Sequence, residues 1–324
     1  MKYLNLTSTD PHFNMAFDQY CLESGPAGEC FFYLWRNRPS VIIGRNQSAY
    51  AEVNLPYLEK EGILLARRVT GGGAVYHDLE NLNYSIVGPA KLLERLSPQP
   101  VEWIAQALRR LGVPAEVSGR NDILVEGRKC SGYAKRLWKD RMMVHGTLMF
   151  NIDLERLSAS LSVRGSKFSS GIASVRSRVA NLKSYLPEGT TVTLFQADLQ
   201  RILADGDPEI GLTDASEAEI DQIAVEKFRS PVWIYGQSPK TELVRQKKFA
   251  CGTIRADYTL QRGKIAEIHF SGDFIGNLPV EELESALTDC CYDEDALNES
   301  VPKCIAEFFD GMDREEFVSF ILGK

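Results

Sequence analysis

The chain has no C-x-x-C pair, and none of its seven cysteines (Cys21, Cys30, Cys130, Cys251, Cys290, Cys291, Cys304) stands at metal-ligand spacing from any of its four histidines. An odd number of scattered cysteines reads as reduced thiols, so neither a disulfide framework nor a tightly bound metal is expected. No run approaches the ~20 apolar residues that span a bilayer. Met1 to Asp10 lacks the basic flank and apolar stretch of a leader, which predicts a cytoplasmic address and no membrane partner. Internal repeats and low-complexity tracts are missing, and 25 Gly and 14 Pro among 324 residues are too few for a collagen-like or disordered chain. What is present, 44% hydrophobic and 25% charged residues, is ordinary for a folded protein of about two domains.

Charge is unevenly distributed. The last 75 residues, from Ala250 to Lys324, carry 6 basic and 16 acidic side chains, whereas residues 1–249 carry 31 basic and 28 acidic. An anionic substrate is therefore expected in the first three quarters of the chain, against the plainer alternative of an acidic, solvated tail. A polar, basic run from Gln237 to Lys248 separates the two regions and reads as a linker. The predicted units are residues 1–245 and 250–324.

In the large unit, apolar periodicity predicts a helix over Met15–Glu23 and another over Pro100–Leu111. Strands are predicted at 31–35, 40–44, 64–68 and 83–87. A meander follows over 122–125, 129–134 and 142–150, with turns at Glu126-Gly127 and Lys139-Asp140. The tail predicts a hairpin, 252–260 and 265–270 around Gly263-Lys264, then helices at 280–287 and 304–321. Antiparallel strands flanked by helices indicate an α+β fold, with the tail as a small α+β cap.

The most unusual stretch is Arg67-Arg-Val-Thr-Gly-Gly-Gly-Ala-Val-Tyr-His-Asp78. Three successive glycines suit a chain that must turn with positive φ or let a ligand approach its backbone, and two arginines beside them suit an anion. A structural glycine turn remains the alternative. The Walker and dinucleotide patterns are excluded, because no Gly-Lys-Ser/Thr follows and Tyr76 stands where the latter needs Gly. A second group is Asn121-Asp122 with Lys129-Cys-Ser-Gly-Tyr-Ala134, followed by His145-Gly-Thr147. Taken alone, Lys129 could be a solvated surface residue, His77 a turn residue and His145 a satisfied core imidazole; His12 and His269 read as incidental.

Together with Val41-Ile-Ile-Gly-Arg-Asn-Gln47, Asn81-Leu-Asn-Tyr-Ser85, Arg120-Asn-Asp122, Ser174-Val-Arg-Ser-Arg-Val-Ala-Asn-Leu182 and Trp233-Ile-Tyr-Gly236, these motifs occur in the order seen in lipoate-protein ligases, and the chain resembles that family. The resemblance covers the large unit and extends into the tail. It implies a catalytic fold shared with biotin protein ligases and class II aminoacyl-tRNA synthetases, built around a mixed, largely antiparallel sheet. It also implies ATP-dependent activation of lipoate to lipoyl-AMP with release of pyrophosphate, then transfer to one lysine of an acceptor domain without a covalent enzyme intermediate. The implied acceptors are acyltransferase subunits of 2-oxoacid dehydrogenases or the H-protein of glycine cleavage; no nucleic acid is involved, and a monomer is the default.

By that resemblance Lys129 contacts both the lipoate carboxylate and the α-phosphate, each worth on the order of 4 kcal/mol at an effective dielectric near 20. Arg68, the Gly73-Ala74-Val75-Tyr76 backbone, Asn121, Asp122, Ser174, Arg176 and Arg178 would hold ATP and the adenylate. Arg45, Gly71, Gly72, His77, His145 and Gly146 would line the lipoate site. Asp122 is the nominated contact to the Mg²⁺ that ATP brings, and 169–182 would be a mobile adenylate-binding loop. Three positions depart from the family pattern. Glu80 replaces a glycine, with strain expected if its φ is positive; Tyr133 replaces a small residue beside the lysine; Cys130 replaces an aliphatic one. The rivals are an ATP-independent octanoyl- or lipoyl-transferase with a cysteine nucleophile, disfavoured because no cysteine lies between 131 and 250, and a non-catalytic binding homologue. Biotin ligation is a third, less similar in the glycine-rich loop.

Overall fold

The computed structural model describes residues 1–47, 49–96, 101–119, 122–161, 178–235, 243–261 and 264–323. Its strands are β1 Lys2–Leu4, β2 Phe31–Trp35, β3 Ser40–Ile43, β4 Leu64–Arg67, β5 Val75–His77, β6 Asn81–Pro89, β7 Ala115–Ser118, β8 Asp122–Val125, β9 Arg128–Trp138, β10 Arg141–Met149, β11 Glu209–Ile210, β12 Leu243–Phe249, β13 Gly252–Gln261 and β14 Lys264–Gly272. The main sheet has the order β11-β1-β2-β6-β10-β9-β8-β7. β1 runs parallel to β2 and β11, and the other neighbours are antiparallel. Two three-stranded sheets, β4-β3-β5 and β12-β13-β14, complete an α+β fold of the expected kind.

Both faces of the main sheet are covered. On one side Leu82, Tyr84 and Ile86 pack with the helices Glu102–Arg110 and Val192–Ala204. On the other, Phe31, Tyr33 and Trp35 pack against α1, Pro11–Glu23, which starts on an Asp10 cap with Pro at its first position. β6 is buried along nearly its whole length, yet carries Asn81, Asn83 and Ser85 on alternate positions, so one polar stripe faces α1. The meander of β8, β9 and β10 follows the turn chemistry read in the sequence. Glu126 and Gly127 take φ of 52° and 74°, and Lys139 takes 53°.

Two expectations are corrected. Residues 243–248 of the expected linker lie in β12, the edge strand of the small sheet. An edge strand pairs on one side only, so its side chains stay largely exposed and its polar composition hides it. The helix expected over 304–321 is two, Ile305–Phe308 and Arg314–Leu322, interrupted where Phe309 is extended and Gly311 has a φ of 75°, with Asp313 capping the second. A further helix, Glu294–Ser300, starts on Asp293. Gly263 of the predicted hairpin turn lies outside the described residues.

The tail docks directly on the glycine-rich loop. Gly72 N–H donates to the Phe274 carbonyl at 3.1 Å and Gly272 N–H to that of Asn46 at 2.6 Å. Arg45 Nη2 lies 3.0 Å from both carboxylate oxygens of Glu281. Such an approach requires bare backbone, because a Cβ on Gly71 would sit 2.5 Å from the Phe274 carbonyl oxygen. Gly71→Ala should therefore cost about 1–3 kcal/mol of stability. Gly211→Ala, where a Cβ meets nothing within 4 Å, should stay within about 0.5 kcal/mol. Urea unfolding of both variants checks this, and equal midpoints would contradict the contact.

Candidate active site

The loop joining β4 to β5 is held from inside by its own arginines. Arg67 ends β4 and donates through Nη1 to the carbonyls of Gly44, Arg45 and Gln47 and through Nε and Nη2 to those of Trp233 and Ile234, at 2.6–3.1 Å. Arg68 donates to the carbonyls of Ile42, Gly71 and Gly73 and to Thr70 Oγ1, at 2.7–3.2 Å. A Cβ on Gly44 would collide with the Gly72 carbonyl oxygen, so bare backbone at Gly44 lets the strand end and the loop touch.

Among the described residues neither guanidinium pairs with a carboxylate. Burial lowers both to about 10, and for Arg68 the neighbouring Arg67 adds to the effect. Desolvated cations bonded to carbonyls and the Thr70 hydroxyl, with no carboxylate in direct contact, keep a positive field at the loop, which favours an anion. Arg68 is only 7% exposed, so it shapes the loop from beneath rather than standing at its mouth. Val75 and Tyr76 pair with Ile42 and Val41 on one side; β5 is an edge strand, so its backbone is unpaired by strand on the other. Gly73 faces Asp273 of the tail, and Ala74 packs on the neighbouring core.

Lys129 heads the second group. The β8–β9 register shifts, with Ile123 opposite Ser131 and Leu124 opposite Lys129, so Cys130 is the extra residue of a bulge that re-aims its neighbour. Lys129 Nζ lies 2.6 Å from Asp122 Oδ1, crossing Gly132, where a Cβ would come within 2.8 Å of that nitrogen. Gly146 on β10 backs onto Gly132, since its Cβ would fall 2.7 Å from the Gly132 carbonyl oxygen. Val179 bridges to Lys129, and Ala180 N–H donates to the Lys129 carbonyl at 2.9 Å, so the described end of the expected adenylate loop flanks the lysine. Arg178 there is exposed. Asn121, Ser174, Arg176, Arg120 and the rest of that loop lie outside the described residues. Among the described residues no three His, Cys, Asp or Glu side chains gather into a metal-holding group.

The histidines are polar pieces of the interior. His145 is 6% exposed, with Nδ1 2.6 Å from Asp18 Oδ2 and Nε2 2.7 Å from Thr70 Oγ1. His77 is 3% exposed. Asn37 accepts from Asn14 through Oδ1, which orients its amide so that Nδ2 donates to His77 Nδ1 at 3.1 Å. The proton of His77 therefore sits on Nε2, a buried donor with no partner among the described residues. Burial, then Arg68 and His145, push His77 down to about 3.

Glu80 causes no strain, because it is not among the residues with positive φ; its N–H closes a turn onto Asp78 Oδ1 at 2.9 Å. Tyr133 packs half-buried against the main core. Sequence reading missed Asp18 and Glu281, and Thr70 and Arg136 as contacts of the loop; Arg136 Nη1 donates to the Val69 carbonyl at 2.7 Å. One signal existed for Asp18: it follows Asn14 by four residues on the buried face of α1, where a carboxylate must have partners.

His77 makes stability depend on pH in one direction. The folded chain keeps it neutral down to about 3 while the unfolded chain protonates it near 6.5, so the unfolded state binds more protons between those values. Its contribution is intact above 6.5 and lost as pH falls. His77→Gln should remove up to one proton from the slope, about 1.4 kcal/mol per pH unit. Urea unfolding of both proteins between about pH 4 and pH 6 measures it; identical slopes would sink the assignment.

Similar proteins point to one family. Residues 10–204 match the family described as Lipoyl protein ligase A/B catalytic domain, and residues 238–321 the one described as Bacterial lipoate protein ligase C-terminus. Lipoate-protein ligase 1 of Staphylococcus aureus is 38% identical over 98% of this chain and 99% of its own. The crystal structure of P. falciparum LipL1 in complex with lipoate is similar over 100% of this chain and 99% of its own, with a TM-score of 0.80 and 25% identity. A lipoate-protein ligase A structure bound with ATP is similar over 72% of this chain and 98% of its own, with a TM-score of 0.62 and 29% identity. An arginine-clamped glycine loop beside a bulged, lysine-bearing strand, and a tail docked on that loop, are thus carried by a chain that belongs to the lipoate-protein ligase family.

Proposed function

We propose that this enzyme activates lipoate with ATP to lipoyl-AMP, releases pyrophosphate and passes the lipoyl group to one lysine of an acceptor domain. The observation that carries the reading is the placement of Lys129, the head of the bulged strand, with Gly132 clearing the space around its ammonium. A carboxylate and an α-phosphate repel each other unless a cation stands between them, and one fixed on a strand costs no rearrangement when charge moves to the transition state. In this reading the substrates draw Lys129 away from Asp122, and Asp122 turns to the Mg²⁺ carried by ATP. A single carboxylate suits such an ion, which keeps several waters and the phosphates as its other ligands.

The lipoate site is assigned to Arg45, Gly71, Gly72, His77, His145 and Gly146, and the nucleotide to the β5 edge, Arg68 and the 174–178 segment. The unit ahead of β12 would carry both half-reactions, with the tail from β12 onward as a cap over the glycine loop. Acceptors would be the acyltransferase subunits of 2-oxoacid dehydrogenases or the glycine-cleavage H-protein. A thiol-based transferase is disfavoured by Cys130, the cysteine beside Lys129. It is fully buried, its Sγ donates to the Ile123 carbonyl, and burial pushes its thiol up to about 12.

ATP–pyrophosphate exchange with lipoate, octanoate, biotin or no acid tests the activation step. Exchange that requires lipoate is expected; none with any acid, from folded protein, would overturn the reading. Lys129→Ala should lower exchange by at least about 100-fold without loss of fold. Unchanged turnover would remove Lys129 from its role.

A further inference from the structure

Three neighbouring strands present donors to one carboxylate. Tyr33 on β2 pairs with Ser85 on β6, and Ser85 pairs with His145 on β10, so the three stand in one row across the sheet. All reach Asp18 of α1, which is 1% exposed. Tyr33 Oη donates to Oδ1 at 2.6 Å and Ser85 Oγ to the same oxygen at 2.8 Å, while His145 Nδ1 lies 2.6 Å from Oδ2. Beyond His145 the chain continues through Thr70 Oγ1, 2.7 Å from Nε2, to Arg68 Nε, which donates to that hydroxyl oxygen at 3.1 Å.

The direction follows from the carboxylate end. An ionised Asp18 can only accept, so the hydrogen between it and His145 sits on Nδ1. In the neutral ring Nε2 is then bare and takes the one Thr70 hydrogen, while the Thr70 oxygen accepts from Arg68 Nε. The chain runs from a buried cation to a buried anion through a hydroxyl and a neutral ring.

On the ligase reading of this site, we propose that Asp18 is a positioning residue: through His145 and Thr70 it is the counter-charge of Arg68, and it locks His145 in the neutral Nδ1–H form. Arg68 holds the Gly71 and Gly73 carbonyls, so the shape of the glycine loop depends on a charge on α1. Both ring nitrogens of His145 are engaged within the chain. The ring therefore contributes shape to the site and neither gives nor takes a proton in the reaction.

Nitrogen-15 NMR of the full-length protein labelled at histidine reads the tautomer, with the His145 signals identified by their loss in His145→Gln. In the wild type, Nδ1 is expected protonated and Nε2 bare; the reverse would overturn the proposal. In Asp18→Asn the amide oxygen stays with Tyr33 and Ser85, which turns the amide nitrogen toward His145 Nδ1 and should move the ring proton to Nε2. An unchanged pattern would refute the lock. In pyrophosphate exchange, Asp18→Asn and Thr70→Val should each raise the KM for lipoate about tenfold, Thr70→Ser should stay near the wild type, and the double variant should be no worse than either single one. Additive losses would show two independent structural roles. If Asp18→Asn fails to fold, the wild-type tautomer and the Thr70 pair still decide the matter. Because the tautomer is read without turnover, absence of exchange in the wild type would count against the ligase reading alone.

Discussion

Two adjacent guanidinium groups, buried and bonded to carbonyls, are the constraint on which the functional end of this protein depends. Arg67 gathers the end of β3 and the Trp233-Ile234 segment, while Arg68 gathers the next turn of the same loop. Removing either would leave several carbonyls without donors in an interior where each unpaired polar group costs on the order of 1–3 kcal/mol. The same burial that makes the clamps rigid keeps their charge unscreened, so the scaffold is also the anion-attracting element.

Glycine does complementary work at the points of closest approach. Gly44 lets two backbone segments meet, Gly71 admits the Phe274 carbonyl of the tail, Gly132 clears the space beside Lys129, and Gly146 admits the Tyr84 hydroxyl. In each case a Cβ would occupy a place already taken by a backbone oxygen, a tyrosine hydroxyl or the lysine ammonium. The glycines of this site are best understood as distances of approach, and positive φ, found at Gly72 with 93°, is the lesser part of their use.

Sequence reading recovered the meander, the helix on Glu102–Arg110, the tail hairpin and the lysine-bearing strand, because each has a strong local period and turn residues at its ends. It failed at β12, whose edge position leaves no alternation to detect, and at Phe309–Gly311, where a break is imposed by packing inside an otherwise helical pattern. It nominated Arg68 as a nucleotide contact without showing how the guanidinium is held. Nothing in Arg67-Arg68 tells which carbonyls a guanidinium will find, since those lie more than 20 residues away for Ile42 and more than 160 for Ile234.

The order of the motifs, the family and the residue types available for chemistry were written in the chain itself, because they rest on identity and spacing alone. Which of those residues meet was decided by the folded sheet. Register sets Tyr33, Ser85 and His145 in one row under Asp18, and a one-residue bulge directs Lys129 across Gly132. Proton positions on His77 and His145 follow from partners contributed by distant segments, Asn37 for one and Asp18 with Thr70 for the other. Hydrogen bonds are short and directional, so they exist only once tertiary structure has brought their two ends within about 3 Å.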